Sequence, residues 1–366
     1  LSAFLRGPNG WPYLLTPLIP IAVALELAGS PATLVFVTSA LGIVPTAALM
    51  GRATEELAAR SGPGIGGLLN VTFGNAPELI IALFALGQGL HEVVKASIIG
   101  SIIGNILLVL GASMLAGGLG REKQVFSRTS ASVQTSMLLL AAAALLMPAI
   151  FELVEGKGLP MPGAELVDYG STVEHLSLAV AIVLIATYVL GLVFSLKTHR
   201  DLFNPEYEDE DSWGWSVRTS VIALAIAGVL VGVMSEVLVG SITEASKSAG
   251  LSEFFIGVIV VAIVGNAAEH WVAVLVARKD KMDLAVNIAI GSSAQVALFV
   301  APVLVLASLF VGPGPLALVF NGFELGALLL AILIANYVTQ DGESTWFEGV
   351  QLLAVYAVFG LAFYFA

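Results

Sequence analysis

Two glutamates stand where an ionised carboxylate is out of place. Gly74-Asn75-Ala76-Pro77-Glu78 and Gly265-Asn266-Ala267-Ala268-Glu269 are copies of one motif, 191 residues apart. Each glutamate lies inside a long apolar-dominated run, with no basic residue three or four positions away. A bare carboxylate there is strongly disfavoured, so it should hold either a proton or a cation. Residues i and i+3 of a helix share a face, so Asn75 points with Glu78 and Asn266 with Glu269. Glycine and proline within a membrane helix permit a kink and leave carbonyls without helical partners. Gly74 and Pro77 can do this in the first copy, and Gly265 in the second. Carboxylates, amide oxygens and freed carbonyls are hard ligands that suit Ca²⁺ and, less well, Na⁺ or Mn²⁺. Glu78, Glu269, Asn75 and Asn266 are therefore the expected metal site. Arriving Ca²⁺ would displace protons and arriving protons would displace Ca²⁺, while an empty, doubly charged site would not cross the membrane easily.

More polar residues follow each copy at helical spacing. Ser97, Ser101 and Asn105 share one face, and Ser292 and Gln295 another. Ser101, Asn105, Ser292 and Gln295 are expected to line the site, although small polar residues also hydrogen-bond between membrane helices. His270 follows Glu269 directly, but helical neighbours are about 100° apart; it either relays protons or caps the cavity. Glu26, Glu236 and Glu324 lie nearer the ends of apolar runs, where each could face a water-filled entrance.

The elements that hold these residues follow from composition. The 366 residues are 58% hydrophobic and 11% charged, with a mean hydropathy of +0.95. Soluble domains carry about a quarter charged residues, so the chain is expected to be an all-α polytopic membrane protein. A span needs about 20 mostly apolar residues. Eleven such runs lie near 12–28, 31–50, 64–86, 93–116, 130–151, 173–196, 215–240, 253–277, 284–309, 316–337 and 345–365. No cleavable signal is expected ahead of the first. The net charge of −12 argues against nucleic acid and favours cationic partners. Cysteine is absent, and no zinc-protease, P-loop, nucleophile-elbow or dinucleotide motif occurs. An enzyme and a cofactor are thus not expected.

The basic residues set the orientation. With the N-terminus inside, twelve lie on the cytoplasmic side, and Lys95, Lys157 and Lys247 lie opposite. That bias predicts a cytoplasmic N-terminus and an external C-terminus. The two motifs fall five spans apart, so they should cross the membrane in opposite directions. From residue 71 to 111 the 191-residue offset gives ten identities in 41 positions, including Gly100-Ser101 against Gly291-Ser292. The expected layout is a leading helix (1–30), a five-helix repeat (31–196), an acidic cytoplasmic linker (197–214) and a second, inverted five-helix repeat (215–366). Inverted repeats are a common transporter plan, with the site near the midplane. Glu206, Glu208, Asp209, Glu210 and Asp211 crowd the linker. Such runs are usually solvated, but this one could also gather divalent cations.

Gly-Asn-Ala-Pro-Glu-Leu at 74–79 and Gly-Asn-Ala-Ala-Glu-His at 265–270 resemble the paired signatures of the Ca²⁺/H⁺ exchanger (CAX) family of the cation/Ca²⁺ exchanger superfamily. Gly291-Ser292-Ser293-Ala294-Gln295 and the acidic linker are similar to that family too. The resemblance implies eleven helices and exchange of cytosolic Ca²⁺ for external protons, with Glu78 and Glu269 as the alternating carboxylates. It implies that Asn75 and Asn266 shape the site and that Ser293 lies nearby with Ser292 and Gln295. It further implies a regulatory Ca²⁺ site made by residues 206–211 with Glu55 or Glu56. The Ala/Gly-rich composition points to a prokaryotic plasma membrane. Two alternatives stand beside this reading. A Na⁺/Ca²⁺ exchanger of the same superfamily would resemble Gly-Thr-Ser-x-Pro-Glu/Asp at this place, whose hydroxyls suit Na⁺. A passive cation channel would need a continuous polar path, whereas the polar residues cluster at mid-depth.

Overall fold

The computed structural model describes residues 10–164, 169–198 and 214–366. The acidic residues Glu206, Glu208, Asp209, Glu210 and Asp211 lie outside the described residues. The helices are α1 (Trp11–Leu27), α2 (Ala32–Arg60), α3 (Gly62–Gly74), α4 (Ala76–Gly87), α5 (His91–Gly118), α6 (Arg128–Val154), α7 (Ser171–Thr198), α8 (Val217–Ala249), α9 (Glu253–Arg278), α10 (Met282–Ala307), α11 (Gly322–Val338) and α12 (Trp346–Phe365). Two short strands, β1 (Gln124–Val125) and β2 (Glu343–Ser344), pair antiparallel. Among the described residues, eight helices are long and apolar enough to cross a bilayer, or nine if the bent pair α3–α4 counts as one span. The chain is an integral membrane protein.

Three stretches differ from their expected form. The second run does not stop at Met50: α2 continues to Arg60, so Glu55 and Glu56 occupy its last turns. The third run is not one helix; it bends by 41° between Gly74 and Ala76. The tenth is not helical from residue 316. Residues 316–321 form neither helix nor strand and are buried, and the helix starts only at Gly322. Hydropathy is blind to that distinction, because an apolar run satisfies either conformation.

By contacts the chain forms two compact units. The first comprises Leu1–Phe84, Val189–Gly250 and Val264–Glu269. Within it α2 and α8 pack along each other, with Met50 against Ala227 and Val231. Glu56, 2% exposed, accepts from Arg52 at 2.9 Å and from the Trp215 N–H at 3.0 Å. It thereby ties the chain just ahead of α8 to the end of α2.

The second unit comprises Ala85–Tyr188, Leu251–Ile263 and His270–Ala366. Its centre is α5, which crosses the start of α9 through small residues. A Cβ on Gly100 would run into the Val258 carbonyl, and one on Gly257 would lie 2.9 Å from the Ala96 Cβ. Close backbone approach of this kind replaces the hydrophobic drive that lipid removes. The irregular segment 316–321 needs partners for its backbone, since lipid offers none. Leu316 N–H donates to Ser308 (2.7 Å) and Leu318 N–H to Ser177 (3.0 Å). The Val319 carbonyl accepts from the Lys95 ammonium, which also lies 5.1 Å from the centre of the Tyr169 ring. Asn321 and Glu324 close a capping box at the start of α11. Glu324, expected at a water-filled entrance, is instead 2% exposed and occupied by that cap.

Two further bonds pin helix starts within this unit. Glu92, in the first turn of α5, accepts the Gly163 N–H at 2.6 Å, beyond the C-terminal end of α6. Asp283, in the first turn of α10, accepts the N–H of Ser127, the N-cap of α6.

Candidate functional site: a carboxylate pair

The first motif is shaped by Pro77. A proline has no N–H, so the Phe73 carbonyl loses its ordinary helical donor. The Asn75 N–H takes it instead, and the helix breaks there, with α4 restarting at Ala76. The second motif has Ala268 at the matching position, and α9 runs unbroken through Gly265. The kink expected at Gly265 is therefore absent. The irregularity in α9 is a π-helical stretch ahead of the motif, Ile256–Val261.

All four residues of the expected metal site fall in the first unit, and its two motifs face each other. Each glutamate rests on the glycine of the other copy. A Cβ built on Gly74 would lie 3.1 Å from the Glu269 Oε1, and one built on Gly265 would lie 3.1 Å from the Glu78 Cγ. Asn75 and Asn266 are each 1% exposed and Glu78 is 9% exposed. Both Glu78 oxygens are buried, and neither meets a hydrogen-bond donor among the described residues. The two acids are close enough to repel each other when both are charged. Such a pair is stable with a cation between the carboxylates or with protons on them.

The expected site-lining residues belong to the second unit. Asn105 is 2% exposed, lies in a π-helical stretch of α5 (Gly104–Val109), and its Oδ1 is 3.0 Å from the His270 Nε2. Ser293 is fully buried and its hydroxyl donates to the Ala289 carbonyl at 2.9 Å, the helix-internal bond expected of a small polar residue in a membrane. Ser101 and Ser292 are buried, and Gln295 is half-buried just before a second π-helical stretch, Val296–Val300. Of the expected regulatory residues, Glu56 is committed to Arg52 and Trp215, and Glu55 is exposed and pairs with Arg52 at 3.3 Å.

The residue spacing does not single out one polar cluster. Gln134 donates its amide to the Asn287 Oδ1 at 2.6 Å, and the Ser130 hydroxyl donates to the same oxygen at 3.1 Å. Gln and Asn inside the runs 130–151 and 284–309 were the available signal. Nor does spacing reveal that Gly74 and Gly265 are the surfaces on which the opposing glutamates rest, because that requires the two copies to be brought together.

Comparison with known proteins identifies the family. The sequence model of the family described as sodium/calcium exchanger protein matches residues 31–197 and 219–365. A Ca²⁺/H⁺ antiporter of Synechocystis sp. is 45% identical over 368 residues, covering 94% of this chain and 95% of that protein. A Ca²⁺/H⁺ antiporter of Aphanothece halophytica is 47% identical, covering 90% of each. The solved structure of native YfkE is 39% identical with a TM-score of 0.82, covering 97% of this chain and all of that one. The chain belongs to the sodium/calcium exchanger family.

Proposed function

We propose that this protein is a secondary antiporter that exchanges Ca²⁺ for H⁺, with Glu78 and Glu269 holding either Ca²⁺ or protons. The observation that carries this reading is the close approach of the two motifs, which buries the Glu78 carboxylate against the opposing copy with no hydrogen-bond donor to it among the described residues. The charge has to come from what is transported. Asn266 shapes the pair from the helix it shares with Glu269, and Asn75 does so from the break between α3 and α4 rather than from a helix face. Curated relatives named as Ca²⁺/H⁺ antiporters support protons rather than Na⁺ as the counter-ion. So does the motif, whose Asn and Ala replace the hydroxyls that separate Na⁺ sites would use. The protein is a transporter rather than an enzyme.

The layout that fits this function is a leading helix and two inverted five-helix repeats, eleven spans in all. This count includes the short apolar helices α1 and α11 and takes α3–α4 as one bent span. Three pairs of features at the 191-residue offset support the repeat. Gly89 and Asp280 both have positive φ, at 75° and 63°. The π-helical stretches Gly104–Val109 and Val296–Val300 correspond, and so do the anchoring acids Glu92 and Asp283. Asp283 pins the start of α10 to the N-cap of α6, and Glu92 pins the start of α5 to the connection that follows α6, which supports opposite directions for the two helices. The placement of the N-terminus in the cytoplasm, in a prokaryotic plasma membrane, rests on the bias of basic residues and on the bacterial relatives.

Proteoliposomes test the exchange. An imposed pH gradient should drive Ca²⁺ uptake in the absence of Na⁺ and K⁺. A strict requirement for Na⁺ would overturn the proton reading, and flux that continues with no counter-ion gradient would favour a channel.

A further inference from the structure

We infer that Gly74 and Gly265 are positioning residues that set the cation size this site accepts; the inference rests on the carboxylate-pair reading above. The geometry is reciprocal but not equal. At Gly74 the space a side chain would fill is bounded by the Glu269 Oε1, the atom that would touch the ion. At Gly265 the same space is bounded by the Glu78 Cγ at 3.1 Å, with its Cδ and the Ile81 Cδ1 both at 3.7 Å. A contact of 3.1 Å is too close for a methyl group against either atom, so one of the two must move. An apolar methyl at position 74 pushes a ligand oxygen directly. At position 265 it pushes the aliphatic stem of the glutamate, and the carboxylate can swing back through its own torsions.

The bare backbone at these two positions lets the Glu269 Oε1 approach Gly74 end-on and the Glu78 stem lie against Gly265. The room so kept between the motifs suits a large, flexible oxygen shell. Ca²⁺ takes six to eight oxygens at about 2.3–2.6 Å and tolerates irregular geometry. A smaller divalent ion such as Mn²⁺ needs less room. A methyl group that takes volume from the space between the motifs therefore penalises Ca²⁺ more than Mn²⁺, and does so more strongly at position 74 than at 265. Asn75 and Asn266 do not share this role, because their side chains are part of the site rather than the surface beneath it.

The test measures KM and maximal rate for Ca²⁺ and for Mn²⁺ in pH-driven uptake by proteoliposomes. Gly74→Ala and Gly265→Ala are compared with Gly51→Ala, where nothing lies within 4 Å of the added carbon. Folding is checked by size exclusion and thermal midpoint in detergent. The expected result for Gly74→Ala is a Ca²⁺ KM raised roughly tenfold, about 1.4 kcal/mol, with the Mn²⁺ KM raised at least threefold less. Gly265→Ala should show the same direction and a smaller shift, and Gly51→Ala no change in the ratio. An unchanged Ca²⁺-to-Mn²⁺ ratio in folded Gly74→Ala would overturn the inference, as would a larger effect at 265 than at 74. If both variants fail to fold, the glycines are packing residues and the inference falls. Glu78→Gln and Glu269→Gln run alongside. If they transport normally, the carboxylate-pair reading fails; if they are inactive while the glycine variants keep the ratio, only the present inference fails.

Discussion

Glu78 and Glu269 could be picked out from the sequence because an acid in an apolar run has few physical explanations. Glu324 shows the limit of that logic. It is also an acid in an apolar run, yet it caps a helix, and the Asn321 three residues before it was the signal. The pair itself makes two predictions. Glu78→Gln keeps the shape but removes the charge that binds Ca²⁺. Losing one charge from a buried, paired site costs about 2–5 kcal/mol. The Ca²⁺ KM should therefore rise by roughly 30-fold or more, with the thermal midpoint in detergent nearly unchanged. A variant with normal uptake would remove Glu78 from the site. The second prediction concerns pH on the side from which Ca²⁺ binds. Protons compete with Ca²⁺ for the same oxygens, so raising that pH must lower the Ca²⁺ KM. Where one proton is displaced the change approaches about tenfold per pH unit, and where two are displaced about a hundredfold. A KM independent of pH on the binding side would show that the ions do not share the carboxylates.

Helix positions were legible from hydropathy, while the exceptions arise where an apolar run is not a simple helix. Pro77 marks the break in the third run, and it is visible in the sequence. The buried irregular segment 316–321 is not, since two of its partners, Ser177 and Lys95, come from distant parts of the chain. Lys95 is informative here. It is one of three basic residues opposing the positive-inside bias, and it is 1% exposed rather than at a membrane surface. Its role is to satisfy the Val319 carbonyl inside the protein. Lys95→Met preserves length and packing but leaves that carbonyl unpaired, a cost of about 1–3 kcal/mol. The expected outcome is a lower thermal midpoint in detergent with an unchanged Ca²⁺ KM; a shifted KM would tie the segment to ion binding. Gly100 tests the α5–α9 crossing in the opposite way. Gly100→Ala forces a methyl into the Val258 carbonyl, and overpacking costs about 1–3 kcal/mol or more. Gly326→Ala, with open space around it, should leave the midpoint where it is.

The directions in which the helices cross connect the repeat to the chemistry, because inverted copies present their carboxylates to one ion from helices running opposite ways through the membrane. The sequence offset of 191 implies opposition only if the motifs lie an odd number of spans apart, and counting spans by hydropathy is fragile where runs are bent or short. α6 provides an independent ruler. It is a single uninterrupted helix of 27 residues, with Lys123 before its start and Lys157 after its end. At 1.5 Å per residue it is about 40 Å long, enough to cross a bilayer. The bias of basic residues predicts Lys123 inside and Lys157 outside. Both side chains are well exposed, at 50% and 54%. Lys123 pairs with the exposed Glu343, a contact worth about 0–1 kcal/mol. Lys157 pairs with Glu155 at the surface and with Glu152, whose side chain is only 4% exposed, so the thermal midpoint of Lys157→Cys is checked before labelling. The chain has no cysteine, which makes Lys123→Cys and Lys157→Cys clean single reporters. In intact cells an impermeant maleimide should label Lys157→Cys, and it should reach Lys123→Cys only after permeabilisation. Labelling of both from the same side would mean that α6 does not cross. Exchanged accessibilities would keep the inverted architecture but reverse its orientation, and with it the side from which Ca²⁺ enters.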